Sequence, residues 1–410
     1  MSGDAEPVPP KSVRGLRAPE LIASLGLTVA TALPPAFAGA MSAQILDELA
    51  LSHAAFGLAI GAFFLTNAGF SPVAGRLVDR LGGRSSVRLV AVLLVLSMLG
   101  IASFGDSYTA FVIFLLVGGL AAALAGPAGS LLLADAAGPA RLPLLFGVRQ
   151  AFVPVAGLIG GIAVPIFAAA ALGWRWAFFT GGVLVIALAF PARFGSPGRV
   201  RLPSGSADTA YRVHELWLLA LVLALAGSAA MSLTSFVVDY AVSHGISVEA
   251  GGTALAAGSA AAIATRIATG YWVGRFGLDS LEITAGILFI GTAGFIWLLV
   301  GSGPALFPAS VLALAGAWGC AGLVIYAVTF GFHESPGRAN GIVQGGGAAG
   351  GVLGPILTGW AVENFSYELA WAMSAIFVFV AALILVPLCV RRRRVSRATG
   401  LWTPDLGDTL

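Results

Sequence analysis

The chain has 410 residues, 58% of them hydrophobic and 10% charged, with a formal net charge of +3 and a mean hydropathy of +0.94. A soluble domain carries about 25% charged residues, so a soluble globular enzyme is excluded, and apolar runs of about 20 residues recurring along the chain predict a polytopic membrane protein. The two cysteines, Cys320 and Cys389, lie inside apolar runs without a ligand pattern and predict neither a disulfide framework nor a metal site.

Residues 1–19 form a polar, basic tail with no short apolar core followed by a small-residue cleavage site, so no signal peptide is expected. Six apolar runs follow, at 20–42, 53–76, 86–104, 108–133, 145–170 and 174–192. Residues 193–214, rich in Gly, Pro, Ser and Arg, form a central loop. Six more runs occupy 215–240, 248–272, 280–300, 304–330, 337–361 and 368–390, and residues 391–410 make a second tail. Helices are expected for all twelve, because an isolated strand in lipid leaves its backbone groups unpaired. The expected fold is an all-α membrane protein of twelve transmembrane helices in two six-helix bundles, 20–192 and 215–390.

Placing both termini in the cytoplasm puts nineteen of the 22 Lys and Arg residues in cytoplasmic segments, with Arg175 outside and Arg149 and Arg266 inside helices. The positive-inside rule therefore predicts a multi-pass cell-membrane protein with cytoplasmic termini. The run Arg391 to Arg394 directly follows a helix and is read as a stop-transfer signal touching anionic lipid, not as a nucleic-acid site.

The halves repeat. Gly75-Arg-Leu-Val-Asp79-Arg80-Leu-Gly82 aligns with Gly270-Tyr-Trp-Val-Gly274-Arg275-Phe-Gly277 at a shift of 195, and Gly147-Val-Arg149-Gln150 aligns with Gly341-Ile-Val-Gln344 at a shift of 194. Parallel six-helix repeats with a substrate site near the midplane are one plan for secondary transporters.

The stretch Gly75 to Arg84 also resembles the G-x-x-x-D-R-x-G-R-R loop between helices two and three of the major facilitator superfamily. The resemblance runs on through Glu48-Leu-Ala-Leu-Ser52, Gly173-Trp-Arg-Trp-Ala177 and Gly354-Pro355. It implies two pseudo-symmetric bundles and alternating access, with no enzymatic activity and no cofactor. It also implies a conformational latch of Gly75, Asp79, Arg80, Gly82 and Arg84 with Asp135, the acid at the inner end of helix four. Gly75 is expected to permit close helix approach and Gly82 a tight turn. In the second half Gly274 replaces the aspartate, so a one-sided latch is expected.

Charges at membrane depth are costly and functional by default. Arg149 on helix five and Arg266 on helix eight should lie at similar depth, about 12 Å from the inner ends of their helices at 1.5 Å per residue. Without an evident acid partner, two such cations would repel unless an anion paired with them. Family members that carry monocarboxylates, oxalate or nitrate have an arginine on helix eight, which Arg266 resembles in placement. The substrate is accordingly expected to be a small organic or inorganic anion held by Arg266 and Arg149, with Gln150, Gln344 and Asn67 as further ligands. Snorkelling or pairing of the arginines with carbonyls is the alternative.

No acid falls in the middle of a span, and Asp239, near the outer end of helix seven, is the candidate for a coupling proton. His53 and His244 fall on the outer side and His214 and His333 on the inner, none as a buried relay. The rival reading is a proton-coupled exporter of drugs or amphipathic metabolites. Against it, the helix-four stretch from Val117 lacks the exporters' arginine, and Val153-Pro154-Val-Ala-Gly157-Leu-Ile-Gly160-Gly161 loses their Gly-Pro order. Pro34 and Pro35 are expected to bend helix one at a cavity, Trp174 and Trp176 to sit in an interfacial belt, and the protein to act as a monomer.

Overall fold

The computed structural model describes residues 18–136, 148–170, 172–189, 213–301, 303–331 and 336–399, all of them helical or in short turns. In chain order the helices are α1 (Ala18–Ala40), α2 (Ser42–Glu48), α3 (His53–Phe104), α4 (Tyr108–Ala136), α5 (Val155–Ala169) and α6 (Trp174–Ala189). Then come α7 (Val213–Ser243), α8 (Val248–Phe276), α9 (Ser280–Val300), α10 (Leu306–Gly331), α11 (Pro336–Asn364) and α12 (Tyr367–Thr399). The central loop and the segment after α4 lie outside the described residues.

Among the described residues nine helical segments are long and apolar enough to cross a membrane. The span expected at 174–192 is a shorter apolar helix, and those at 248–272 and 337–361 are 29-residue helices diluted by Gly and polar residues. The second and third expected spans are two arms of α3 that meet at Gly82. There φ is 75° and ψ 164°, a backbone conformation that an L side chain rarely adopts. Its repeat mate Gly277 ends α8 in the left-handed conformation at φ 60° and ψ 34°, the usual stop where the last carbonyls need a tight turn. The helix starts are specified locally as well. Ser52, Ser247 and Asp279 accept backbone N–H groups at the starts of α3, α8 and α9, donors that the first turn would otherwise leave orphaned.

The ends of α1, α7 and α11 nearest residues 18, 213 and 336 share one face of the molecule, here the terminus side; His53, Asp106, Asp239 and Glu363 lie on the opposite side. Neighbour relations recur along the chain. Helix α1 packs on α4, α5 and α6 as α7 packs on α10, α11 and α12. Between the chain halves α1 meets α7, α3 meets α11 and α5 meets α8.

Those crossings are made by glycines toward the opposite side. A Cβ at Gly39 would collide with the backbone of Thr234, at Gly57 with that of Pro355, at Gly359 with that of His53, and at Gly161 with that of Gly252 and Ala256. Lipid tails are as apolar as the side chains, so close backbone approach at small residues is what holds such helices together. Gly75 behaves otherwise: nothing lies within 4 Å of a Cβ built there, so the close approach expected of it is absent in this conformation. Trp174 departs from the interfacial belt too. It is 0% exposed, packs edge-on against Phe111 and Phe178, and donates its indole N–H to Glu48 at 2.7 Å, whereas Trp176 is 48% exposed.

Candidate functional site

Between the chain halves, from the midplane toward the terminus side, lies a cavity of about 820 Å³. Its wall is mostly apolar, with Pro35 from α1, Phe63 and Phe64 from α3, Met231 from α7 and Trp318 and Ile325 from α10. Asn67, Arg149, Gln150 and Gln344 line it as well, and Arg149 is the one charged residue among the described lining residues. Arg266 does not line it.

Arg149 sits in the helical turn that precedes α5, and its guanidinium lies against α4. The Nε donates to Thr28 Oγ1 at 2.8 Å, Nη1 to Gly126 O at 3.2 Å and Ser130 Oγ at 3.3 Å, and Nη2 to Ala125 O at 3.2 Å. One local feature makes this possible: Gly129 leaves the space, since a Cβ there would stand 3.0 Å from the guanidinium carbon. Four of the five donors are thus used among the described residues, and one Nη2 hydrogen has no partner there. Arg149→Met is expected to lower stability by about 1–3 kcal/mol, since Thr28 Oγ1, Ser130 Oγ and two carbonyls each lose a charged donor, measured as a fall in Tm.

Arg266, 8% exposed, donates Nε to Trp318 O at 2.8 Å and Nη1 to Gln150 O, with its guanidinium carbon 5.6 Å from the Trp318 ring centroid. Both arginines are therefore compensated by carbonyls, in place of the uncompensated pair expected from the sequence. Gln150 also donates Nε2 to Gln344 Oε1 at 3.3 Å, so the two repeat-related glutamines meet across the halves. Asn67 contributes its side chain to the α3 wall. Asn340, which the sequence reading did not single out, donates Nδ2 to Thr329 Oγ1 at 2.8 Å in the same cavity. Nothing in its local pattern marks it, because its partner lies on another helix.

Asp239 is away from the cavity, on the closed opposite side and 9% exposed. It accepts from His53 Nε2 at 2.8 Å, across the α3–α7 boundary, and from the Tyr367 hydroxyl of α12. Glu363 of α11 accepts the Ala54 N–H at 2.8 Å beside it. His53 is thus half of an interhelical pair, a role its place at a helix start did not reveal, while His244 lies 3.8 Å from Glu368 and His214 is exposed. Of the expected latch, Asp79 and Arg80 are exposed at the terminus-side end of the first arm of α3. The side chains of Arg84 and Asp135, and all of His333, lie outside the described residues.

Two halves joined at glycine crossings on one side, with a cavity between them on the other, are the geometry of a carrier caught open or occluded toward one face. A family model described as the Major Facilitator Superfamily matches residues 21–336. The chain is 30% identical over 257 residues to the MFS-type transporter EfpA of Mycobacterium tuberculosis, covering 61% of this chain and 43% of that protein, so it spans less than half the length of that relative. Among solved structures, a bacterial homologue of the human lysosomal transporter Spinster, in an inward-facing and occupied conformation, superposes with a TM-score of 0.70 at 17% identity, covering 94% of this chain and 98% of that one. A D-xylose–proton symporter superposes with a TM-score of 0.68 at 15% identity, covering 90% and 96%. With its family model spanning most of the sequence and its helices laid out as in these carriers, the chain belongs to the Major Facilitator Superfamily.

Proposed function

We propose that the protein is a secondary active transporter of twelve transmembrane helices in two six-helix bundles, 20–192 and 215–390, that rock about the central cavity. In this reading both termini are cytoplasmic, the cavity is the inward-facing substrate path, and Asp79, Arg80, Arg84 and Asp135 latch the outward-facing state. The substrate is an amphipathic anion, an apolar body bearing a carboxylate-like group. The observation that carries this is the cavity itself: about 820 Å³, walled by aromatic and aliphatic side chains, with Arg149 as its one lining charge. A small inorganic anion would leave most of that wall uncovered, whereas an apolar body covers it and an acidic group takes the remaining Arg149 donor. Gln150, Gln344 and Asn67 offer hydrogen bonds around that group.

The test is the Tm of detergent-purified protein against alkyl carboxylates of rising chain length, inorganic anions and alkyl ammonium ions. Ligands that bind only the native state raise Tm by mass action. The expected result is a carboxylate-specific rise that grows with chain length and is lost in Arg149→Gln, measured from that variant's own baseline. Stabilisation by alkyl ammonium ions, indifferent to Arg149, would replace this reading with export of lipophilic cations.

A further inference from the structure

Arg266 is a buried cation with no carboxylate among its hydrogen-bond partners, and a cation left in that state is strongly destabilising unless its donors are met. Two carbonyls meet two of its five donors, and for the first of them the sequence explains why the carbonyl is free to accept. The carbonyl of Gln150 should receive the N–H of residue 154, but Pro154 has none, leaving only a long 3.3 Å bond from Val153. The carbonyl of Trp318 belongs to α10, and one turn further along that helix Gly322 lies beside the stem of Arg266, where a Cβ would make an ordinary contact of 3.9 Å with Arg266 Cγ. A missing N–H just before α5 and a carbonyl of α10 thus receive one guanidinium from α8.

The consequence reaches the cavity from behind. Trp318 and Gln150 both line it, while Arg266 does not. Gln150 in turn bonds Gln344 of α11, so the guanidinium, Gln150 and Gln344 form a connected path from α8 through α5 to α11. We infer that Arg266 is a positioning residue of the transport cavity: it fixes Trp318 and Gln150 in the wall and ties α5 to α8 and α10 in this conformation, without ligating substrate. The inference rests on the transporter reading only in taking this cavity as the substrate path.

The test reads the wall directly. Protein labelled with 5-fluorotryptophan gives a fluorine resonance for Trp318, assigned by its absence in Trp318→Phe. In ligand-free protein Arg266→Gln should displace or broaden that resonance. In the double variant Arg266→Gln with Pro154→Ala, an N–H is returned to the Gln150 carbonyl, so the Tm lost in the single variant should be largely recovered, while the Trp318 resonance stays displaced. Arg266→Lys, which keeps the charge but reaches a single carbonyl, should give an intermediate displacement and serves if Arg266→Gln does not fold. The carboxylate-induced rise in Tm should fall severalfold yet keep its selectivity for carboxylates. An unmoved Trp318 resonance together with complete loss of carboxylate stabilisation would overturn the inference and make Arg266 a substrate ligand. So would failure of Pro154→Ala to recover any Tm. If no carboxylate stabilises even the wild type, the substrate reading fails alone, and the resonance and the recovery of Tm still decide the role of Arg266.

Discussion

Gly57→Val and Gly359→Val are each expected to force the protein out of the conformation described here. At both positions even a Cβ would overlap the backbone of the facing helix, and the clash is with main chain of the other half, which has no rotamer to change. Overpacking of this kind costs about 1–3 kcal/mol when the surroundings partly yield, equivalent to about a five- to 150-fold shift of a two-state equilibrium. The penalty applies only while α3 and α11 touch on the opposite side, so the state in which they part is favoured. Spin labels at Ser107 and Glu249 on the opposite side, and at Arg76 and Arg275 on the terminus side, report the change. All four positions are exposed, and the two native cysteines are buried. The Ser107–Glu249 distance should lengthen and the Arg76–Arg275 distance shorten. Folded variants with wild-type distances on both faces would show that opening does not require these helices to separate.

Asp239→Leu should produce the second large effect, by a different physical route. The carboxylate accepts from both His53 and Tyr367 and is nearly sealed from solvent, so its removal leaves two donors facing an apolar side chain. Truncating one partner of a buried, hydrogen-bonded charged group costs about 2–5 kcal/mol, much of it from the groups left behind. Because His53 belongs to α3 and Asp239 to α7, part of that cost falls on the closed state, and the opposite side should open as in the glycine variants. Asp239→Asn, which keeps the shape and one acceptor, should do so more weakly, and a double-mutant cycle with His53→Ala should return a coupling energy for the pair. Asp239 is also the proposed site of a coupling proton. In liposomes, substrate-driven proton movement should be abolished in Asp239→Asn while substrate exchange continues; proton movement that persists places coupling elsewhere.

The bilayer makes much of the architecture legible in the sequence. A backbone in lipid must satisfy its own hydrogen bonds, so runs of apolar residues could be read as helices, and most observed ends fall within a few residues of the expected ones. The repeat was legible for a similar reason. Gly82 and Gly277 occupy matching positions in the two halves, and both have positive φ, a backbone demand that one residue type meets cheaply. The short helix α2 and the closed packing of Trp174 were less visible, since each depends on neighbours distant in sequence.

The site shows the same division at finer grain. The sequence alone predicts membrane depth for Arg149 and Arg266, because local hydropathy sets the expected depth. Which of them borders the cavity does not follow from it, because the difference is made by the carbonyl freed at Pro154, by the Trp318 carbonyl and by the α4 surface at Gly129, each on a different helix from the arginine it serves. His53 and Asp239 are separated by 186 residues and read individually as helix-end polar groups; only the crossing of α3 and α7 makes them a pair. Sequence by itself determined the class, the membrane, the helices and the family resemblance, all of which rest on local periodicity and on short motifs. Tertiary structure alone decided which polar groups meet, because in a dry interior each buried donor must find an acceptor and the close crossing of helices determines which one is within reach.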